Sequence, residues 1–341
     1  MISEVDLENI DLEFGLDPIV DPLNDFYKDC VDVLAEDPSK EVAFHSLSQL
    51  EIVVRNGVAM SLDDNATAQF YQRLKIPLSY LSRCPTDLQT ENVEYWLQQQ
   101  KKPLLFRTRK IGSSLRARGV LSKRFMTTEA TKDDLKALPL ILRAHQQLSS
   151  DPLTLAQFLK TDHFTTSTSY FRPHITEHEH GTFAPGILVT NSEVGLAALK
   201  LQPVIAELKI GHPNIYYISS NPAGSKRFYH VGTLTPTALI GAVSSASEIA
   251  QHGVVQLLVR AHEEVDNPAS IVRQLLTNKN LLGVTTSALV KEVESLWTDT
   301  PSATKLDIAR SIITSTQHLD QLSHYRISKI VGRYLEIFIP E

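Results

Sequence analysis

Cysteine is scarce in this chain: Cys30 and Cys84 are the only two among 341 residues. Neither lies in a CxxC or Cys/His pattern, which excludes a disulfide scaffold, argues against a structural zinc site and suits a reducing compartment. No apolar run approaches the roughly 18 residues of a membrane span, and the acidic N-terminus lacks the basic stretch of a signal peptide. Neither GxGxxG nor GxxxxGK[ST] occurs, so a nucleotide-driven motor is not expected. Serine, cysteine and paired-carboxylate spacings give no catalytic signature, and the chain reads as a non-enzyme without a cofactor. What remains, at 42% hydrophobic and 21% charged residues, is ordinary globular composition.

A positive net charge is also missing, but the total of −6 hides two parts. Residues 1–41 hold thirteen acids and two lysines, a balance of −11, which leaves +5 for residues 42–341. Read by segment, the charge leaves a polyanionic partner open. Residues 1–41 read as an acidic arm that packs on the body, stays disordered or docks a protein partner, with a short helix within 21–35. Residues 42–335 read as one α+β domain: helical over 42–100, β-rich over 101–240 and helical again over 241–335.

Within that domain, Leu47, Leu50 and Val54 and then Ala68, Tyr71 and Leu74 have helical spacing up to Pro77, and 92–100 predicts a helix with Val93, Trp96 and Leu97 inward. From Pro103 the period becomes two, predicting a hairpin of 103–109 and 114–121 around Lys110–Gly112. Helix is expected again over 131–160, a polar loop over 161–181, a strand at 186–191, a helix at 194–201, and strands at 215–219 and 226–232.

The sharpest chemical feature is residues 95–128, which carry nine basic side chains and no acid. Alternation along the hairpin places Arg107, Arg109, Arg116 and Arg118 on one face, with Lys110 at the turn and Lys123 and Arg124 beyond it. Like charges facing one another are costly on a sheet. Such a face is a phosphate track, a dock for the acidic arm, or a solvated basic surface. A second patch, Lys226, Arg227, Phe228, Tyr229 and His230, interleaves cations with rings, as single-strand binding does; core packing explains at least one of its aromatics equally well. His174, His178 and His180 offer metal ligands, but without HExxH spacing, so they read as part of a solvated polar loop and no metal is expected. Asn191, Ser192 and Glu193 read as the capped start of a helix, with Gly195 allowing a close approach.

Three segments resemble a phage- and plasmid-borne family catalogued as domain of unknown function nine-three-two. They are Leu74–Pro77 with Asn92-Val93 and Trp96-Leu97, leading into Leu115–Phe125; Gly186–Gly195, which contains Asn191-Ser192-Glu193-x-Gly195; and Lys226–Gly232. The resemblance spans about 45–335. Lys123 stands where that family usually has Asp, and Gly211–Asn214 replaces a segment similar to C-T-N-G. What the resemblance implies is a setting in mobile elements, in DNA metabolism, counter-defence or regulation, inside the bacterial cytoplasm. Together with the basic hairpin it gives the expected function: a nucleic-acid-binding protein for single-stranded DNA, acting in annealing, recombination or replication and assembling as a homo-oligomer. The alternative is a protein-interaction factor of the host-takeover or anti-defence kind that works through its acidic arm.

Overall fold

The computed structural model describes residues 17–46, 51–54, 58–81, 83–122, 138, 141, 144, 153–209, 213–218, 226–228, 236–281, 285–319 and 321–337. The fold is α+β, with two large sheets and a helical C-terminal part.

The first half of the chain builds the smaller sheet. Its elements are α1 (Asp17–Lys28), β1 (Cys30–Ala35), α2 (Pro38–Glu41), β2 (Val42–Ser46), β3 (Glu51–Val54), β4 (Val58–Leu62), α3 (Asp64–Leu74), α4 (Leu78–Leu81), α5 (Thr86–Gln98), β5 (Leu104–Ile111) and β6 (Ser114–Ser122). Strand order is β1-β5-β6-β4-β3-β2, antiparallel except for β4 against β6. The N-terminal part therefore mixes strands with helices: 42–62, expected as helix, contains three strands. The β-branched run Ile52-Val53-Val54 outweighs the helical spacing there. Further on, the helical expectation holds for α3 and α5. Asp63 caps α3 by accepting from the Ala66 amide at 2.8 Å, and Lys75 ends it in a left-handed conformation before Pro77. Ala66, Phe70, Tyr71 and Leu74 face inward, as do Val93 and Leu97 of α5, whereas Trp96 is 40% exposed.

The acid-rich segment is built into the body over the residues described. β1 runs antiparallel to β5, pairing Cys30 with Arg109 and Ala35 with Leu104. In α1, Ile19 and Leu23 are buried against Ile187, Val189, Leu199 and Leu201 of the second sheet. Residues 1–16 lie outside the described residues.

The second sheet contains β7 (Leu153–Lys160), β8 (Thr165–Phe171), β9 (Thr176–His178), β10 (Gly181–Asn191), β11 (Leu199–Leu208), β12 (Asn214–Tyr217) and β13 (Lys226–Phe228), in the order β12-β11-β10-β8-β7 with β13 on β11 and β9 on β10. Here local expectation fails three times. Residues 153–160 are strand rather than helix, 165–171 and 176–178 are strand rather than loop, and 199–201 begin β11 rather than end a helix. The Thr- and Ser-rich β8 has a partner strand on each side, β7 and β10, so pairing overrides its loop composition. The predicted strands at 215–219 and 226–232 exist over Asn214–Tyr217 and Lys226–Phe228, and both pair with β11.

The C-terminal part comprises α6 (Pro236–Arg260), β14 (Glu264–Asp266), α7 (Pro268–Leu276), α8 (Ser287–Ser295), β15 (Ser302–Thr304), α9 (Lys305–Ser315) and α10 (Gln321–Tyr334). These helices bury Leu257, Val272, Ile308, Ile312, Ile327 and Val331 against Phe183, Ile205 and Tyr216 of the sheet. α10 is pressed onto β12 at Gly332, where an added Cβ would lie 2.1 Å from the Tyr217 carbonyl oxygen. Only glycine permits that approach, and it fixes the neighbouring Lys329 and Arg333 beside the sheet. No helix among the described residues is long and apolar enough to cross a membrane.

Candidate polyanion interface

The basic hairpin forms, but its register differs from the expected one by two residues. Arg109 pairs with Arg116 rather than Ser114, because the turn is the tight Gly112-Ser113 pair. A bulge at Arg107/Thr108 sets Arg107 against Gly119 and leaves Arg118 as the extra residue. The four arginines therefore do not share a solvent face. Side-chain exposure is 2% for Arg118 and 12% for Arg107, while Arg116 and Lys110 are exposed.

The buried arginines meet acids from the second sheet. Glu193, 1% exposed, receives Lys160 Nζ at 3.0 Å on Oε1, while Arg107 Nη1 and Arg118 Nη2 lie 3.5 and 3.8 Å from Oε2. Arg118 Nη1 donates to the Asp162 carbonyl oxygen at 2.8 Å, and Arg109 Nη1 donates to Asp162 Oδ1 at 2.9 Å. The Phe26 ring of α1 caps the group, with Lys160 Nζ and the Arg109 guanidinium each 4.6 Å from its centroid and that of Arg118 at 5.0 Å. Burial pushes the Glu193 carboxyl up to about 8, and the three cations pull the other way. Burial also raises the nearby Cys30 thiol, against the opposing pull of Arg118, Lys160 and Arg109, so it stays protonated. The phosphate-track reading of Arg107 and Arg118 is thus corrected. These side chains are an internal ion cluster joining the two sheets, with Glu193 and Asp162 as its counter-ions, covered by the segment expected as an arm.

Asn191, Ser192 and Glu193 are likewise corrected. No helix starts there; all three are buried at the end of β10, and the chain turns through Gly195, whose amide donates to the Ser192 carbonyl oxygen. Gln69 of α3 locks this turn to the hairpin by donating to the Val194 carbonyl oxygen and accepting from the Val120 amide, each at 2.7 Å.

A different set of cations has no such partners among the described residues. β13 pairs with β11 so that Lys200 faces Arg227, and α10 brings Lys329 and Arg333 to the same corner. The Lys200 amine is pushed down to about 8, first by burial and then by the charges of Lys329, Arg227 and Arg333. Lys329 is lowered by burial and by Arg333 and Arg227. No carboxylate pairs with any of the four among the described residues. Lys226 and Arg227 are exposed on β13 and Phe228 is half-buried against the core, so of the predicted patch the cations are presented and this ring is packing. Lys123, Arg124, Tyr229 and His230 lie outside the described residues.

Tyr325 joins this corner to a cavity. Lys329 Nζ stands 5.4 Å from its ring centroid, and its ring meets Tyr217 edge-on at 5.3 Å. The cavity, about 350 Å³, is lined by Gln157, Phe158, Thr168, Tyr217, His324 and Tyr325 among others. Burial pushes the His324 imidazole down, keeping it neutral. Sequence reasoning missed Lys200 of β11 and Tyr325, Lys329 and Arg333 of α10, which have no motif around them and meet only through the fold.

The histidine-rich stretch is also more ordered than expected. It is a strand, β9, and the turn into β10. His178 and His180 stack there at 5.2 Å, and His262, two residues beyond the end of α6, joins them. His174 stands apart, beside Phe171. Searches against family models, curated proteins and solved structures found no match to this chain.

Proposed function

We propose that the protein is a non-enzymatic nucleic-acid-binding protein that holds single-stranded DNA at the Lys200, Arg227, Lys329 and Arg333 corner. The observation that carries this is four converging cations without a carboxylate partner among the described residues, one of them lowered to about 8 by burial and then by its charged neighbours. Such a cluster costs folding free energy that a bound polyanion offsets. Phosphates occupy the cations, and the Tyr325 edge of the 350 Å³ cavity offers a ring and amide side chains to an unstacked base. Among the hairpin residues, Arg107 and Arg118 keep their internal role, and Arg116 and Lys110 are exposed on the first sheet. Work in annealing, recombination or replication in a phage or plasmid, in the bacterial cytoplasm, belongs to the same proposal and is supported by the sequence resemblance alone; assembly as a homo-oligomer rests on analogy with annealing proteins.

The test is fluorescence anisotropy with labelled single- and double-stranded oligonucleotides across a salt series. Single-strand affinity is expected to fall with log salt at a slope of roughly −3, four contacts at about −0.7 each. The Lys200→Gln/Arg227→Gln/Lys329→Gln/Arg333→Gln variant is expected to lose at least ~10-fold, as several phosphate contacts are removed. Wild-type affinity in that variant refutes the assignment, and a flat salt response refutes nucleic-acid binding at this corner altogether.

A further inference from the structure

The histidine cluster lies at the start of β10, the opposite end of that strand from Glu193, where the β9–β10 turn meets the segment after α6. His180 Nε2 and His262 Nδ1 are 3.3 Å apart. Glu179 Oε1 lies 3.9 Å from His180 Nε2. His178, Glu179 and His262 each place a donor atom within 4.8 Å of the others. The rings pack mutually, with centroids 4.6 Å apart for His180 and His262 and 5.8 Å for His178 and His262. The His180–His262 contact is close enough for one N–H···N hydrogen bond, and His178 Nδ1 accepts from the His180 amide at 3.4 Å, but neither bond involves the Glu179 carboxylate.

We infer that His178, His180 and His262, with Glu179, form a binding site for a borderline divalent transition metal such as Zn²⁺. Two nitrogens bound tetrahedrally to zinc at about 2.0–2.1 Å lie about 3.3 Å apart, the separation His180 and His262 already have. Three imidazoles and one carboxylate suit Zn²⁺, Ni²⁺ or Cu²⁺ and not Mg²⁺ or Ca²⁺, which take oxygen ligands.

The backbone that carries the ligands is anchored from below. Arg310 Nη2 donates to the His180 carbonyl oxygen at 2.6 Å, and its Nε donates to Glu207 Oε1 at 2.7 Å. Glu207, itself buried, also accepts from Asn214 and from the Tyr216 hydroxyl. Asp307 Oδ1 takes a third bond from Arg310, so the guanidinium is paired with two acids, Glu207 and Asp307. His262 follows closely on the C-terminal end of α6, where the carbonyl ends of the helix favour positive charge. A metal here ties the sheet to the helical part through residues far apart in sequence.

The test uses the untagged full-length protein, freed of metal with a chelator and titrated calorimetrically with ZnCl₂. CoCl₂ serves as the spectroscopic probe. One equivalent of Zn²⁺ is expected to bind, Co²⁺ to give visible ligand-field absorption, and the melting temperature to rise with Zn²⁺. His262→Ala and the milder His262→Gln are each expected to lower affinity by ~10-fold or more, while His174→Ala leaves it unchanged. MgCl₂ in equal amount is expected not to compete. Failure to bind one equivalent, wild-type Zn²⁺ affinity in both His262 variants, or displacement by Mg²⁺ overturns the site.

Discussion

Replacing Glu193 by Gln removes one charge and almost no volume from the junction between the sheets, and the consequence depends on whether that carboxyl is ionised. The burial that raises it from 4.5 to about 8 opposes ionisation by about 5 kcal/mol. Against this stand Lys160, Arg107 and Arg118 at 3.0, 3.5 and 3.8 Å, each attracting the anion by about 4–6 kcal/mol at an effective dielectric near 20. Three attractions outweigh one burial penalty, and a neutral Glu193 would take from three buried cations the carboxylate they share. The carboxylate is therefore held as the anion, and Glu193→Gln is expected to destabilise the protein by about 3–5 kcal/mol at pH 7, the cost of orphaning buried charge. Urea unfolding followed by circular dichroism measures this as a lowered midpoint with an unchanged slope.

The pH profile supplies an independent check. If the folded-state carboxyl titrated near 8, its stabilisation would be fully present below the unfolded value of 4.5 and lost as pH rose through 8. The ion cluster instead predicts little change attributable to Glu193 between pH 6 and 8.5, read as the difference between wild type and Glu193→Gln across that range. A loss below about 1 kcal/mol at pH 7, or a wild-type stability that falls towards pH 8 while the variant stays level, refutes the reasoning.

The cation corner is open to two further measurements. Because Lys200 is lowered to about 8, its charge is present below that pH and lost above it, so single-strand affinity is expected to fall by about tenfold between pH 7 and 9; Lys200→Arg, always charged, flattens that anisotropy profile, and an unaltered profile in the variant removes Lys200 from the interface. Gly332→Ala forces a Cβ against the Tyr217 carbonyl oxygen and is expected to cost about 1–3 kcal/mol in thermal or urea unfolding while weakening DNA binding by displacing Lys329 and Arg333; a fully stable variant shows that α10 is free to shift.

Features with a local cause were legible in the sequence. The helices α3 and α5 follow from apolar periodicity and the Pro77 break, and the β5–β6 hairpin follows from its alternation, with the α+β class as the result. Where the outcome depends on partners elsewhere in the chain, the sequence misled. The bulge at Arg107/Thr108 turns Arg118 inward because Asp162 and Glu193 wait there, both contributed by the second sheet much later in the chain. Asn191-Ser192-Glu193 carries every local mark of a helix cap, and only the cations beyond it show that Glu193 is a counter-ion. His262 and Lys329 carry no motif at all; their neighbours are assembled by the fold.

The segment formed by α1 and β1 also has a history in time. It is made before everything it contacts: β5 comes well after it in the chain, β7 after that, and the Ile187–Leu201 wall later still. During synthesis Ile19, Leu23 and Phe26 therefore have nothing to pack on until both sheets exist. Contacts of such long sequence separation form late in folding. The dense negative charge of residues 1–41 keeps that stretch solvated and discourages premature association with other chains. In this light the acidity serves the waiting chain, and the finished protein inherits it as a strap across two sheets.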